Sequence, residues 1–284
     1  MKSLYVETPL WESRPLSAIV GAPVWLKMEA LQPTGSFKAR GMGVACRAAV
    51  ERGARRVVCA SPESTAPRAK ELIRGEGAEL IVYGVSWDEA HQHALELTRQ
   101  EQAAYIHPFD DPNVWRGHAG MIQEIAQAGV RPGVIVLSVG GGGLLCGVVE
   151  GLHNVGWTDV PVLAVETEGA ASFAASVQAG RLETLDRITS LATTLGARTV
   201  ARQALEWTRH HSITSWVISD RTAVEACLRF ADDHRILVEP ACGAALAAGY
   251  ARAEALQGRS PVVIIVCGGA GVNREQFEHW RQRI

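Results

Sequence analysis

Six short runs of β-branched and other apolar residues recur along this chain, and they limit its possible folds more than any other feature. Between most of them lie Ala- and charge-rich stretches with helical spacing, such as "FKARGMGVACRAAVERGA" and "DRTAVEACLRFADDHRI". Nearly continuous apolar strands that alternate with helices are typical of parallel sheets covered by helices. The sequence therefore predicts an α/β fold with strands at 56–61, 79–84, 134–141, 161–167, 216–220 and 262–269.

The composition favours a globular protein that acts on small molecules. The chain has 284 residues, of which 47% are hydrophobic and 20% charged, with a formal net charge of -2. No block of like charges gives a reason to expect nucleic acid or an anionic membrane as a partner. Six scattered cysteines lack the spacing of a zinc site or a disulfide framework. We expect a cytoplasmic protein, because no segment is typical of a signal peptide or a membrane span.

A run of four glycines follows one apolar run in "VIVLSVGGGGLLCGVVEGL". Glycines let backbone N–H groups converge on an anion, and a following helix adds the positive end of its dipole. A tight turn between a closely packed strand and helix explains the run equally well. The dinucleotide fingerprint G-x-G-x-x-G cannot be read here, because Leu144, Leu145 and Cys146 stand where a glycine is required. The run therefore favours a phosphorylated ligand other than NAD.

Two reactive side chains lie beside other glycines. Lys38 follows "PTGSF", in which Ser36 is predicted to cap a helix that runs to about Gly53. The helix dipole disfavours a lysine in the first turn, although most lysines are only solvated charges. Cys267 ends the last apolar run at the ligand-facing edge of a parallel sheet, although most free cysteines are small buried residues. A phosphate cradle with an amine nucleophile is what pyridoxal phosphate requires.

The motifs "PTGSFKARG", "SVGGGGLLCGVV", "VEPACGAALAA" and "VCGG" occur in this order along the chain. In this the chain resembles the L-serine dehydratase and threonine ammonia-lyase group of pyridoxal-phosphate enzymes, which have the tryptophan synthase β-like fold (fold type II). The resemblance implies two open α/β domains and a homodimer. Residues 1–34 and 119–284 would form a large cofactor-binding domain, and residues 35–118 a shortened small domain.

The resemblance also implies the roles of particular residues. Lys38 matches the Schiff-base lysine, Phe37 the residue that flanks the cofactor ring, and Cys267 the residue that faces the pyridine nitrogen. The phosphate loop is matched by Gly140, Gly141, Gly142, Gly143 and the amide of Leu144. A site for a monovalent cation, K⁺ or Na⁺, is matched by oxygen atoms of Glu166, Ala170, Ser172, Leu195 and Ala197.

The implied activity is β-elimination of L-serine to pyruvate and ammonia, and of L-threonine to 2-oxobutanoate. A thiol is a weak, uncharged partner for the pyridine nitrogen, which favours elimination over chemistry that needs a long-lived carbanion. The sequence departs from the family after "VVCAS", where a helix–strand unit with a carboxylate-binding Ser-x-Gly-Asn loop is missing. Two alternatives stay open. One is an impaired or silent cofactor-binding protein, and the other is a serine racemase or β-replacement enzyme of the same fold.

Overall fold

The computed structural model describes residues 5–284 apart from positions 60, 62, 64, 66, 76–78, 86 and 102. The strands are β1 (Leu10–Glu12), β2 (Val24–Lys27), β3 (Val57–Val58), β4 (Ala104–Tyr105), β5 (Val134–Ser138), β6 (Val162–Thr167), β7 (Ile213–Ile218) and β8 (Val262–Ile265). The helices are α1 (Arg14–Val20), α2 (Lys38–Glu51), α3 (Pro67–Gly75), α4 (Trp87–Glu101), α5 (Pro112–Gln127), α6 (Gly143–Asn154), α7 (Ser172–Ala179), α8 (Arg202–Trp207), α9 (Asp220–His234), α10 (Pro240–Tyr250) and α11 (Arg274–Gln282). Within the described ranges, no helix combines the length and hydropathy that crossing a membrane requires.

Six strands form one sheet in the order β1-β2-β8-β5-β6-β7. All neighbours are parallel except β1, which runs antiparallel to β2. The register places Val262 of β8 between Val24 of β2 and Val134 of β5. Because the carboxyl ends of parallel strands meet at one edge, the segments that follow β2, β5, β6 and β8 lie along the same edge of the sheet.

The main hydrophobic core surrounds this sheet. Every residue of β5, β6 and β8 is buried, as the continuous apolar runs predict for strands covered on both faces. The small residues of α10 are almost all buried as well, and this helix packs against β5, β6 and α9. The short side chains of "PACGAALAAGY" permit that close approach of the helix to the sheet.

A second, two-stranded parallel sheet pairs Val57 with Ala104 and Val58 with Tyr105. The strand predicted at 79–84 is wrong, because residues 79–85 have no regular strand. Instead, the Tyr83 N–H donates to the Ser61 carbonyl at 3.2 Å and the Gly84 carbonyl accepts from the Glu63 N–H at 2.8 Å, so this segment is hydrogen-bonded to residues outside any strand. Each of the other predicted strand regions overlaps an observed strand, although β7 begins three residues earlier than predicted. The proposed division between residues 35–118 and the rest of the chain stays a prediction.

Candidate active site

The segment before α2 is hydrogen-bonded to the segment after β8. The Phe37 N–H donates to the Cys267 carbonyl at 3.0 Å, and the Gly269 N–H donates to the Gly35 carbonyl at 3.0 Å. These bonds join positions that are more than 200 residues apart in the sequence. They bring the backbone that carries Lys38 directly beside the backbone that carries Cys267.

Helix α2 begins at Lys38, and the predicted cap by Ser36 needs a correction. Phe37 occupies the N-cap position without a side-chain hydrogen bond, and the Ser36 hydroxyl accepts from the Lys38 N–H at 3.4 Å. Ser36 therefore satisfies an amide of the first turn from one position further back than expected. The Lys38 side chain is exposed, and its amine lies over the Phe37 ring, 5.2 Å from the ring centroid. An incoming aldehyde can therefore reach this amine.

The four glycines (residues 140–143) connect β5 to α6 and are called the glycine turn below. Gly142 has a φ of +86°, a left-handed conformation that favours glycine. A Cβ on Gly141 would lie 2.2 Å from the Phe109 ring, and a Cβ on Gly140 would lie 2.9 Å from the Leu195 Cα. Close packing therefore requires these glycines. The two interpretations of the run are compatible, since the first-turn N–H groups of α6 still lack partners within the helix.

Cys267 lies two residues beyond β8 and is almost completely buried. The neighbouring Cys242 thiol and burial hold the pKa of the Cys267 thiol well above its ordinary value. The group is therefore a neutral thiol at physiological pH, as the sequence interpretation of its chemistry requires.

Glu166, near the end of β6, is a buried carboxylate. Its Oε1 accepts from the Phe173 N–H at 2.9 Å and its Oε2 from the Ala174 N–H at 2.7 Å. Burial raises the pKa of Glu166 to about 7 against the opposing effect of these two bonds. The buried Ser172 hydroxyl has no hydrogen-bond partner among the described residues, and Ala170 is buried nearby in the same connection.

The remaining predicted cation ligands lie beside the glycine turn. Leu195 ends a one-turn 3₁₀ helix (Thr193–Leu195), and its carbonyl accepts from the Ala197 N–H at 2.7 Å. The Leu195 backbone also contacts Gly140, as described above. Glu166, Ala170 and Ser172 thus lie at the end of β6 and just after it, and the Leu195 segment lies beside the turn that follows β5, at the same edge of the sheet.

Sequence reasoning missed a buried ion-pair cluster directly behind Lys38. The Arg40 guanidinium donates to Glu29 at 2.7 and 2.8 Å and to Glu124 at 2.6 and 2.7 Å. Lys27 also donates to Glu124 and, at 2.6 Å, to the Thr8 carbonyl. Arg40, Glu29 and Lys27 are almost completely buried. The cluster fixes the first turn of α2 to the end of β2 and to α5, and so fixes the position of Lys38.

Comparison with known protein families identifies the family of this chain. A family model described as "Pyridoxal-phosphate dependent enzyme" matches residues 1–66 and 60–268. The chain belongs to this family of pyridoxal-phosphate dependent enzymes. The predicted α/β class and tryptophan synthase β-like fold are thereby confirmed.

Known members of the family are similar over almost the whole chain. Mouse "L-serine dehydratase/L-threonine deaminase" is 44% identical, with 98% of this chain and 95% of the mouse protein covered. Human "Serine dehydratase-like" is 45% identical, with 95% and 92% covered. The crystal structure of a fungal L-serine ammonia-lyase from Rhizomucor miehei superposes with a TM-score of 0.93 at 36% identity, with 99% of each chain covered.

The comparison with members of this pyridoxal-phosphate family also agrees with the prediction that a helix–strand unit is missing from this chain. The mouse alignment spans 310 positions but uses 98% of 284 residues, which is about 278, so about 32 of its positions have no counterpart here. The family match is likewise divided into two parts that meet at residues 60–66, directly after "VVCAS". The Ser-x-Gly-Asn loop, which the family resemblance assigns to substrate binding, would lie at this division.

Proposed function

We propose that the chain catalyses the pyridoxal-phosphate-dependent β-elimination of L-serine to pyruvate and ammonia, and of L-threonine to 2-oxobutanoate. One observation carries the proposal: the Lys38 turn is hydrogen-bonded to the Cys267 segment, at the sheet edge where the glycine turn begins α6. The names of the mouse, human and fungal relatives support this choice of reaction within the family.

The residues at this edge fit the phosphate and ring of the cofactor. The glycine turn excludes any side chain, and the 12-residue helix α6 directs its N-terminal amides, including that of Leu144, toward the edge. Phe37 would flank the ring, and Cys267 would face its nitrogen. Pyridoxal phosphate, when bound, withdraws electrons from the α-carbon of the amino acid.

In this proposal Lys38 performs the proton transfer. Its amine would hold the cofactor covalently and, when it is free, the Nζ atom would take the α-proton of the substrate. The ion-pair cluster around Arg40 holds the helix turn from which this amine extends. Cys267 stays neutral and so would give the ring nitrogen no anionic partner to keep it protonated.

We further propose that Glu166, Ala170, Ser172, Leu195 and Ala197 bind K⁺ or Na⁺. The fit rests on the buried Glu166 carboxylate and on the Ser172 hydroxyl, which lacks a partner in the described residues. Oxygen atoms of this kind suit a hard cation. A homodimer in the cytoplasm completes the proposal. Its support is the family resemblance and the free state of all six cysteines, which suits a reducing compartment.

The test is a pyruvate assay on the cofactor-loaded protein with L-serine. We expect turnover together with the visible absorbance band of a lysine-linked cofactor. Lys38→Ala should lose both, whereas Lys70→Ala, in α3, should keep both. A band that survives in Lys38→Ala contradicts the assignment of the lysine.

The missing helix–strand unit favours one alternative, a silent cofactor-binding protein, because the loop that orients the substrate carboxylate belongs to that unit. A loaded wild-type protein that shows the band without forming pyruvate would establish this alternative. A chiral assay for D-serine in the same reaction distinguishes a racemase from both the β-elimination enzyme and the silent cofactor-binding protein.

A further inference from the structure

His118 is buried where three helices of the site meet. It lies in α5, and its ring centroid is 4.8 Å from that of Phe37. A Cβ on Gly41 of α2 would lie 2.5 Å from the His118 Cε1, and a Cβ on Gly147 of α6 would lie 2.4 Å from the His118 Cβ. His118 therefore contacts both the helix that begins at Lys38 and the helix that begins at the glycine turn.

Both ring nitrogens of His118 lack a hydrogen-bond partner among the described residues, although the ring is 1% exposed. Leaving a buried polar atom without a partner costs about 1 to 3 kcal/mol. Arg40, which directly precedes Gly41 on the facing helix, has all of its side-chain nitrogens bonded to carboxylates. An unpartnered imidazole beside so complete a network indicates a group that is kept for use in the site.

The charge state of His118 follows from its surroundings. Burial, and then the positive charges of Lys38 and Arg40, lower the pKa of His118 to about 3. The imidazole is therefore neutral at physiological pH, with one nitrogen that donates and one that accepts. A neutral imidazole beside two cations is suited to accept a hydrogen bond from one of them. Arg40 is already saturated, which leaves Lys38.

Lys38 and His118 approach the same aromatic ring. The Lys38 amine is 5.2 Å from the Phe37 centroid, and the four-carbon stem lets this amine move around the ring edge. We propose that His118 is a positioning residue for Lys38: from the place it has here, the amine can swing around the edge of Phe37 so that one His118 ring nitrogen accepts its hydrogen bond while the amine is not joined to the cofactor. The bond returns the amine to a fixed place beside Phe37, ready to act on the substrate. This inference rests on the proposed function only for its kinetic test.

The first test uses the cofactor-free protein and does not depend on activity. In ¹⁵N-histidine spectra, the accepting nitrogen of His118 should move toward the value of a free imidazole nitrogen when Lys38 is replaced in Lys38→Met. Lys70→Met, the matched control, should leave that resonance in place. An unchanged His118 resonance in Lys38→Met overturns the proposal, whatever the enzyme does with serine.

The second test separates the packing of His118 from its hydrogen bonding. His118→Phe keeps an aromatic ring against Phe37 but has no nitrogen, whereas His118→Gln keeps an acceptor. We expect kcat for L-serine to fall about 10-fold or more in His118→Phe with little change in KM, and less in His118→Gln. The matched control is His210→Phe at an exposed position, which should keep the wild-type kcat.

Each outcome of the kinetic test bears on a different claim. A His118→Phe protein with wild-type kcat overturns the role of the nitrogens. Should His118→Phe fail to fold, as circular dichroism would show, the spectra of Lys38→Met still decide the proposal. A wild-type protein without serine turnover contradicts the proposed function alone, because the nitrogen resonance is measured without cofactor or substrate.

Discussion

The two sheets of this molecule differ in the length and the burial of their strands. In the six-stranded sheet, β5, β6 and β8 are buried along their whole length. In the two-stranded sheet, β3 and β4 have two residues each, and all four are only partly buried. The segments proposed to bind the cofactor extend from the large sheet, and the division in the family match falls beside the small one. The contrast suggests that cofactor binding and substrate orientation can vary separately in this fold.

Helix α2 connects the two regions. Its Ala45 and Ala49 pack with Ile106 and Val114 in a small buried cluster near β4. Its first turn is fixed by Arg40 to the residues that follow β2 and to α5. Lys38 therefore takes its position from the large sheet, although the helix that carries it continues into the smaller region.

Replacing Arg40 should have the largest effect on this arrangement. Arg40→Met leaves the buried carboxylate of Glu29 without its cation, which costs about 3 to 5 kcal/mol in the free energy of unfolding. Arg47→Met, at an exposed position of the same helix, should change stability by less than about 0.5 kcal/mol. Urea unfolding of the two cofactor-free variants provides the measurement. Equal losses would mean that α2 is not anchored to the large sheet through Arg40.

Ionisation of Glu166 should have the next largest effect on the free energy of unfolding, and this residue lies in the large sheet. Its folded-state pKa of about 7 exceeds the ordinary 4.5, so the folded protein binds the proton more tightly than the unfolded chain. The contribution of Glu166 to stability is therefore largest below pH 4.5 and is lost as the pH rises to 7, by an amount on the order of 3 kcal/mol. A cation beside the ionised carboxylate should recover part of this loss.

Thermal unfolding with K⁺ or with an equal concentration of tetramethylammonium tests this linkage. We expect K⁺ to stabilise the protein more at pH 8 than at pH 5, and Glu166→Gln to remove both the pH slope and the K⁺ response. Glu168→Gln, an exposed neighbour, is the matched control. A K⁺ response that persists in Glu166→Gln contradicts the proposed cation site.

The contrast between the buried large sheet and the partly buried small sheet also explains which strands could be predicted from the sequence. The runs at 134–141 and 262–269 contain β5 and β8 because strands buried on both faces leave continuous apolar sequence. The run at 79–84 is equally apolar, yet it forms no strand, and Tyr83 remains 50% exposed. An apolar run predicts a strand only where a neighbouring strand exists to pair with it.

Within the site, the glycine turn, Lys38 and Cys267 could be located from strand ends and family motifs. The Arg40 cluster and His118 could not, because their contacts depend on how α2, α5 and α6 cross. Gly41 and Gly117 permit that crossing, since a Cβ on Gly117 would lie 2.5 Å from the Arg40 carbonyl oxygen. Sequence spacing gives the period of each helix but not the pair of residues at which two helices meet.

Restoring the missing helix–strand unit would test whether cofactor binding by the large-sheet region is independent of substrate orientation by the small-sheet region. Inserting the corresponding helix–strand segment of the mouse relative after Ser61 should raise kcat/KM for L-serine about 100-fold, because the carboxylate would regain its orienting hydrogen bonds. The affinity for pyridoxal phosphate should stay almost unchanged. A Gly/Ser insert of equal length is the control. If cofactor affinity rises together with kcat/KM, the two regions are not independent.

The smallest effect is expected in the small sheet itself. Val136→Ala removes a completely buried side chain from β5 and should cost about 2 to 3 kcal/mol, the sum of lost transfer free energy and the cavity left behind. Val57→Ala removes a partly buried one from β3, where solvent can fill the space, and should cost less than about 1 kcal/mol. Urea unfolding measures both. Equal costs would show that β3 is packed as tightly as β5, and the functional separation would then lose its structural basis.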